Sequence, residues 1–206
     1  FKGWYDNEGL TGNPVTAIGG AETGNKEYWA KWEANTYTVT LNTNGGTINS
    51  GNVTEYTYGV GATLPTDVTR TGYTFKGWYD NENLTGSPVT AISNTETGNK
   101  EYWAKWEINQ YTITVKPENG KADITITQDY GTPITAPTLT REGYQFNGWD
   151  KTFPTTMPAE NLTITAQWTV NQYTITYDLA GGTAEGNLDT YTIETRTFTL
   201  KNPTKS

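Results

Sequence analysis

The sequence contains a long internal duplication, and this repeat constrains the fold more than any other feature. Residues 1–33 and 75–107 are identical at 28 of 33 positions, at an offset of 74 residues. Self-similarity at a fixed period indicates one supersecondary unit used repeatedly. We therefore expect an array of small modules and not one large domain.

A third and diverged copy extends the array. Phe146, Gly148 and Trp149 repeat the F-x-G-W element of the first two copies. The segment LTITAQW then ends at Trp168, where the other copies have EYWAKW. From the F-x-G-W Trp to the closing Trp there are 28 residues in the copy that contains Trp78 and 19 in this one, so the same unit is reused with a shorter interior.

The other half of each unit begins with an alternating segment, YTVTL, YTITV or YTITY. These segments start at Tyr37, Tyr111 and Tyr173. Apolar residues at every second position are typical of a strand with one buried face. Gly-containing turns such as Asn44-Gly45-Gly46 follow, and they are hairpin signals. The predicted order is strand, strand, short turn or helical connector, strand, strand.

The unit boundaries follow from this order. We predict the C-terminal half of a unit at 1–33, a complete long unit at 35–107, a complete short unit at 109–168 and the N-terminal half of a unit at 171–206. The linkers between them are about four residues long and lack Gly and Pro. Flexible tethers have a different composition, so a stiff array is expected.

Composition excludes several classes of function. The chain has no Cys, no His and a net charge of −8, so it lacks thiol nucleophiles, imidazole bases and the usual soft metal ligands. No basic cluster is present that could neutralise a run of phosphates, and nucleic acid is a poor candidate partner. The acidic loops at 6–8 and 80–83 lack the spacing of a dedicated Ca²⁺ loop, which favours solvated turns. We predict no catalytic, cofactor-binding or metal-binding residue, and no cofactor.

The recurring aromatic residues are predicted to form the cores of the units. A unit of 60 to 70 residues without disulfides needs large core side chains, and all eight Trp occupy repeated positions. The predicted core residues are Trp4, Trp32, Tyr37, Phe75, Trp78, Trp106, Tyr111, Phe146, Trp149 and Trp168.

Strand parity makes a further prediction for the long unit. Tyr102, Ala104 and Trp106 should face the core, and Trp103 should face outwards. The long copy has an inserted loop at about 80–99 with several apolar residues, and the short copy lacks both this loop and the outer Trp. We expect the loop to fold over Trp103 as a small separate core.

The pattern Y-T-[VI]-T, G-Y-x-F-x-G-W and a closing Trp strand resembles the Listeria–Bacteroides repeat, the family that includes the B-repeat of internalin-type surface proteins. The carriers of the resemblance are Tyr73, Phe75, Gly77, Trp78 and Trp106 in one unit and Tyr144, Phe146, Gly148, Trp149 and Trp168 in the next. The resemblance implies a mainly β, α+β fold of β-grasp type, with small four-stranded modules in an elongated array on secreted bacterial proteins.

Function is expected to be structural. The leading interpretation is a stiff, non-catalytic spacer or stalk of a bacterial cell-surface protein such as an adhesin, anchored to the cell wall or outer membrane by regions outside this chain. The alternative is a direct binding module for host protein or glycan that uses repeated weak sites. Neighbouring repeats are the expected contacts, and the complementary half units could also associate head to tail between chains.

Overall fold

The computed structural model describes residues 1–205, which form strands and turns without a helix. The chain divides into two compact units, Phe1–Glu107 and the residues from Ile108 onward. The described residues thus hold no helix of the length and hydropathy that crossing a membrane requires. The helical part of the expected α+β class is wrong, because turns and two-residue strands occupy the connector positions.

Ten strands begin in the first unit. They are β1 (Gly3–Tyr5), β2 (Trp29–Lys31), β3 (Thr36–Asn42), β4 (Thr47–Ile48), β5 (Glu55–Thr57), β6 (Ala62–Thr63), β7 (Val68–Thr69), β8 (Tyr73–Tyr79), β9 (Ala91–Ile92) and β10 (Lys100–Ile108). Six strands lie in the second unit. They are β11 (Gln110–Lys116), β12 (Ile124–Asp129), β13 (Tyr144–Trp149), β14 (Leu162–Val170), β15 (Gln172–Thr174) and β16 (Thr190–Thr192).

The short repeat, residues 109–168, forms one four-stranded sheet in the order β12-β11-β14-β13. The central strands β11 and β14 are parallel, and each edge strand is antiparallel to its neighbour. Alternation in β11 turns Ile113 and Val115 to the covered face, where they are fully buried with Ile164. Met157, which the sequence did not identify, fills the same core from the loop before β14.

The long repeat, residues 35–107, has a sheet of the same order, β5-β3-β10-β8, with β3 parallel to β10. Two further antiparallel pairs, β4 with β7 and β6 with β9, lie beside it. Its buried core is formed by Val39, Tyr56, Leu64, Val68, Trp78, Ile92, Tyr102 and Ala104. Both halves of the repeat contribute to this core.

The turn at Asn44-Gly45 reverses the chain as its sequence predicts, but it does not join two paired strands. Both residues have positive φ, 50° and 88°, and Gly46 N donates to Thr43 O, which is the geometry of a type I′ turn. The strand that follows, β4, pairs with β7, whereas β3 pairs with β5 further along the chain.

The inserted loop at 80–99 packs differently from the expectation. Its residues Val89 and Ile92 join the main core of the long repeat, and β9 within the loop pairs with β6. Trp103 is half-buried and is not part of that core. The predicted separate core over Trp103 is therefore wrong, because the apolar residues of the loop gain more contact by extending the existing core.

A triad of aromatic rings recurs three times. Phe75 lies between Trp78 and Trp106, with ring centroids 5.5 and 5.3 Å apart, and these are favourable distances for edge-to-face and tilted pairs. The other triads are Phe146 with Trp149 and Trp168, and Phe1 with Trp4 and Trp32. In each complete repeat the closing Trp also donates its indole N–H to a backbone carbonyl, from Trp106 to Thr43 O and from Trp168 to Pro117 O, both at 2.8 Å.

A bulge at the glycine of F-x-G-W makes the triad possible. Residues three apart in a regular strand point to opposite faces. In β13, however, the three steps from Phe146 to Trp149 span only two residues of β14, and Gly148 has φ +94°. This extra residue turns both rings to the same side. Gly77, the equivalent residue of the long repeat, also has a positive φ, +117°, and a Cβ added to it would lie 2.7 Å from the Cβ of Pro88.

The predicted core residues differ widely in burial. Trp78 is 2% exposed, and Tyr37, Phe75 and Trp106 pack partly buried against the same core. Tyr111 and Trp149 hold the equivalent positions in the short repeat, and Trp168 is half-buried.

The prediction of core positions is wrong for three residues, Trp4, Trp32 and Phe146. Trp4 is 49% exposed, Trp32 is 72% exposed and Phe146 is 37% exposed. In residues 1–33 the triad forms, but no strands equivalent to β3 and β5 cover it, since its sheet contains β1 and β2 alone. Phe146 lies at the sheet edge in β13, so its outer side stays open.

Trp78→Ala and Trp4→Ala form a matched pair, because the two residues share a motif and a local sequence. Trp78 is buried and its indole N–H donates to Pro65 O at 2.7 Å, so its loss leaves a large cavity and an unpaired carbonyl. We expect a loss of about 3–5 kcal/mol in the unfolding free energy of the first unit. Trp4→Ala should cost less than about 1 kcal/mol. Urea unfolding of both variants measures the difference, and equal losses would contradict the assignment of the core.

Gly46→Ala tests the fit of the closing Trp against the first turn. A Cβ on Gly46 would lie 2.2 Å from Cζ2 of Trp106 and 3.1 Å from Thr69 O. Gly46 has no positive φ, so the expected loss of about 2–3 kcal/mol arises from overpacking and not from backbone strain. Gly20→Ala is the control, since nothing lies within 4 Å of its added Cβ, and the same urea titration should leave its midpoint unchanged.

Candidate functional site

The polar chemistry of the chain lies at its surface. Among residues 1–205, every buried side chain of the core is apolar or aromatic, and no buried polar or charged residue occurs. No group of three acidic side chains in this part of the chain is placed to hold a metal ion. A candidate site must therefore be an open surface feature.

A cleft of about 400 Å³ lies between the inserted loop and β10. Its lining includes Asp80, Val89, Ala91, Glu96, Asn99, Lys100, Glu101, Tyr102 and Trp103. The loop supplies one wall, and alternation along β10 places Trp103 beside it. The cleft combines one half-buried indole with several charged groups.

The polar groups of this cleft are largely engaged with one another and with the neighbouring strand. Lys100 forms an ion pair with Glu96, and Asn99 Oδ1 accepts a hydrogen bond from Thr38 N at 3.1 Å. Glu101 Oε1 accepts from Asn42 Nδ2 at 2.8 Å. These contacts attach the loop and β10 to β3.

Electrostatics keeps two groups of the cleft, Lys100 and Tyr102, in their protonated forms. The hydrogen bond to Glu96 raises the pKa of Lys100 above its ordinary value, so the amine stays protonated at neutral pH. Burial raises the pKa of Tyr102, and that phenol stays neutral. Neither side chain can act as a base or a nucleophile near pH 7. The arrangement can offer contacts to a ligand.

The same cleft is present in residues 1–33, with a volume of about 380 Å³ and Asp6, Glu22, Asn25, Lys26 and Trp29 among its lining residues. Lys26 and Glu22 repeat the ion pair, with Nζ and Oε2 2.6 Å apart. The five differences between the two 33-residue copies all fall outside the lining. This identity was readable in the sequence, but grouping the residues into a cleft required the structure.

The acidic loop at 80–83 uses its side chains to stabilise a turn. Asn81 Oδ1 accepts hydrogen bonds from the backbone N and the side chain of Thr85, and Asn81 Nδ2 donates to Asp80 Oδ1 and Thr85 O. Leu84 has φ +55° within this turn. The loop at 6–8 repeats the hydrogen bonds through Asn7 and Thr11.

Comparison with known proteins places these features in a family. Residues 37–105 and 173–206 match the Listeria-Bacteroides repeat domain, and residues 111–172 match the divergent InlB B-repeat domain. The matches cover most of the chain and include both complete repeats. No solved structure matches the chain.

Three curated relatives are similar to the chain. Two are proteins of Evansella cellulosilytica whose names contain the words "membrane protein". One is 37% identical over 86% of this chain and 28% of its own length, and the other 34% identical over 92% and 22%. The third, Internalin H of Listeria monocytogenes, is 33% identical over 61% of this chain and 24% of its own length. The chain thus spans about a quarter of each relative. By the residues matched, the chain belongs to the Listeria–Bacteroides repeat family.

Proposed function

We propose that this chain is a non-catalytic spacer, a stiff stalk that separates other parts of a bacterial cell-surface protein. One observation carries the proposal: consecutive repeats are joined by almost no free chain. Strand β10 ends at Ile108 and β11 begins at Gln110, and in the same way β14 ends at Val170 and β15 begins at Gln172. A single residue is too short to act as a flexible tether, which supports a stiff stalk.

Independent cores support a modular division at 35–107 and 109–168. The buried residues of the long and short repeats form two separate clusters. Aromatic residues in such clusters stabilise each module and are unavailable for chemistry. A chain built in this way gains length with every added module and gains no new reactive site.

The sheet order supports a β-grasp type of module without its helix. When the four strands of each sheet are numbered by their order in the chain, they lie side by side as second, first, fourth, third. The first and fourth strands are parallel. A parallel pair of this kind requires a crossover connection. The turn-rich segments between the second and third strands provide it in both repeats.

An extracellular location agrees with the family and with the names of the relatives. Internalin H and the two Evansella proteins are several times longer than this chain, which leaves room for other functions in their remaining sequence. For this protein we propose the cell surface, with the repeats between an anchored part and a more distal part of the polypeptide.

The spacer proposal predicts that length grows with repeat number. An extended chain carrying one additional copy of residues 34–107 should increase the maximum dimension from small-angle X-ray scattering by about 30 Å, the length of a nine-residue strand. In a control, Gly-Ser-Gly-Ser inserted after Asn109 should broaden the distribution of dimensions, since it introduces a flexible tether. A compact particle whose maximum dimension does not increase with the added repeat would refute the proposal.

A direct binding role is the second candidate, and the cleft beside Trp103 favours it. This cleft and its copy beside Trp29 belong to the inserted segments, whereas the short repeat has Thr165 in place of the Trp. An indole next to carboxylate and amide groups is chemistry suited to a glycan. Binding of the 206-residue chain to a glycan array, lost in the Trp29→Ala, Trp103→Ala double variant, would support this role. An array without signal would leave the spacer as the function.

A further inference from the structure

A turn in the short repeat contacts the segment that follows the repeat. Arg141 and Tyr144 close this turn, with Tyr144 N donating to Arg141 O at 3.1 Å and the guanidinium carbon 3.7 Å from the phenol ring centroid. Gly143, between them, has φ +74°, which favours glycine. We refer to residues 141–144 as the R-x-G-Y turn.

Three contacts join the R-x-G-Y turn to residues beyond the repeat. Asn171 N donates to Gly143 O at 2.8 Å. Tyr144 Oη donates to Glu194 Oε1 at 2.6 Å. Ile193 packs directly on Gly143, because a Cβ added there would lie 2.7 Å from the Cβ of Ile193. The contacts thus involve backbone, side-chain polar groups and apolar packing together.

The segment that receives these contacts has no core of its own. No residue from 171 to 205 is buried, and its strands β15 and β16 are three residues each. A two-stranded ribbon of this size is at best marginally stable in water. Its order therefore depends on contacts outside the ribbon, and the R-x-G-Y turn supplies them.

We propose that the R-x-G-Y turn is a docking platform whose partner is the first hairpin of the following repeat, and that it orders this hairpin and couples the two repeats. The inference rests on the proposed spacer function and gives a mechanism for its stiffness. In linear repeat proteins, stability is approximately a sum of terms for each repeat and for each interface between neighbours. The turn provides such an interface.

The chain builds this turn twice. In the long repeat, Tyr73 N donates to Arg70 O at 3.0 Å, and the guanidinium carbon of Arg70 lies 3.8 Å from the Tyr73 ring centroid. Gly72 between them has φ +77°. A ring held by a cation on one face has a fixed direction for its hydroxyl group, and this fixed direction suits a docking contact.

The polar contact persists across the physiological range of pH. Hydrogen bonding to the Glu194 carboxylate raises the pKa of Tyr144, and the charge of Arg141 acts in the opposite direction with a smaller effect. A raised phenol pKa means that the contact is complete below the ordinary Tyr value and is lost as pH rises through the raised value. Near pH 7 the hydroxyl group therefore donates.

Hydrogen exchange of the 206-residue chain tests the platform. Gly143→Ala should increase amide exchange in β15 and β16 about tenfold or more, because its Cβ displaces Ile193. Gly131→Ala is the matched control: Gly131 has φ +75° in the same repeat, and nothing lies within 4 Å of its added Cβ. The control carries the same backbone strain and should change exchange in β15 and β16 by less than about twofold.

A double-mutant cycle isolates the hydrogen bond. Tyr144→Phe and Glu194→Gln should each increase exchange in β15 and β16 about threefold to tenfold, and the double variant should show less than the product of the two changes. Exchange in β11 and β14 should stay constant in all three. Unchanged protection of β15 and β16, or fully multiplicative effects, would overturn the docking proposal.

The two proposals fail in different measurements. Exchange reports local order in β15 and β16 regardless of the length of the molecule, whereas scattering reports reach. If the particle is compact but hydrogen exchange in β15 and β16 increases in Gly143→Ala, the docking proposal stands and the spacer proposal fails. If the maximum dimension grows with repeat number but hydrogen exchange is unchanged in Gly143→Ala, the spacer proposal stands and the docking proposal fails.

Discussion

The contact of one phenylalanine with two tryptophans joins an edge strand to a central strand in each complete repeat. Phe75 touches Trp78 on its own strand and Trp106 on β10, so the triad joins the edge of the sheet to its centre. The closing Trp then reaches the first turn through its indole N–H, and Gly46 leaves the space that the ring needs. A module without disulfides thereby connects its first turn, its third strand and its fourth strand through three rings.

The triad depends on a local irregularity. Without the bulge between Phe146 and Trp149, residues three apart would face opposite sides of the sheet, and Phe and Trp could not meet. The glycine of F-x-G-W is therefore a structural requirement, because residues with a side chain rarely adopt its positive φ. Residues 1–33 show the consequence of having the triad alone: the rings touch one another, yet Trp4 and Trp32 remain exposed.

The contacts within the modules are those of core packing and surface ion pairs. Their buried residues are apolar or aromatic, Lys76 pairs with Glu107 at the surface of the long repeat, and the hydrogen bond to Glu96 keeps Lys100 protonated. Stabilising contacts lie instead in the two cores and between the R-x-G-Y turn and the segment that follows it. This distribution agrees with the spacer function proposed above.

The sequence alone determined the repeat pattern, the strand-rich class, the family and the aromatic positions of F-x-G-W. These features are local: duplication, alternation and turn residues can be read within a few tens of residues, as the type I′ turn at Asn44-Gly45 illustrates. Tertiary structure alone decided how buried each aromatic is, because burial depends on strands distant in sequence, and Trp4 and Trp78 share nearly identical neighbours. It also decided that Val89 and Ile92 enter the main core, that Met157 fills the short repeat, and that Tyr144 reaches Glu194 fifty residues away. Contacts of this kind depend on which surfaces remain exposed after the sheet has formed. A local sequence pattern does not determine those surfaces.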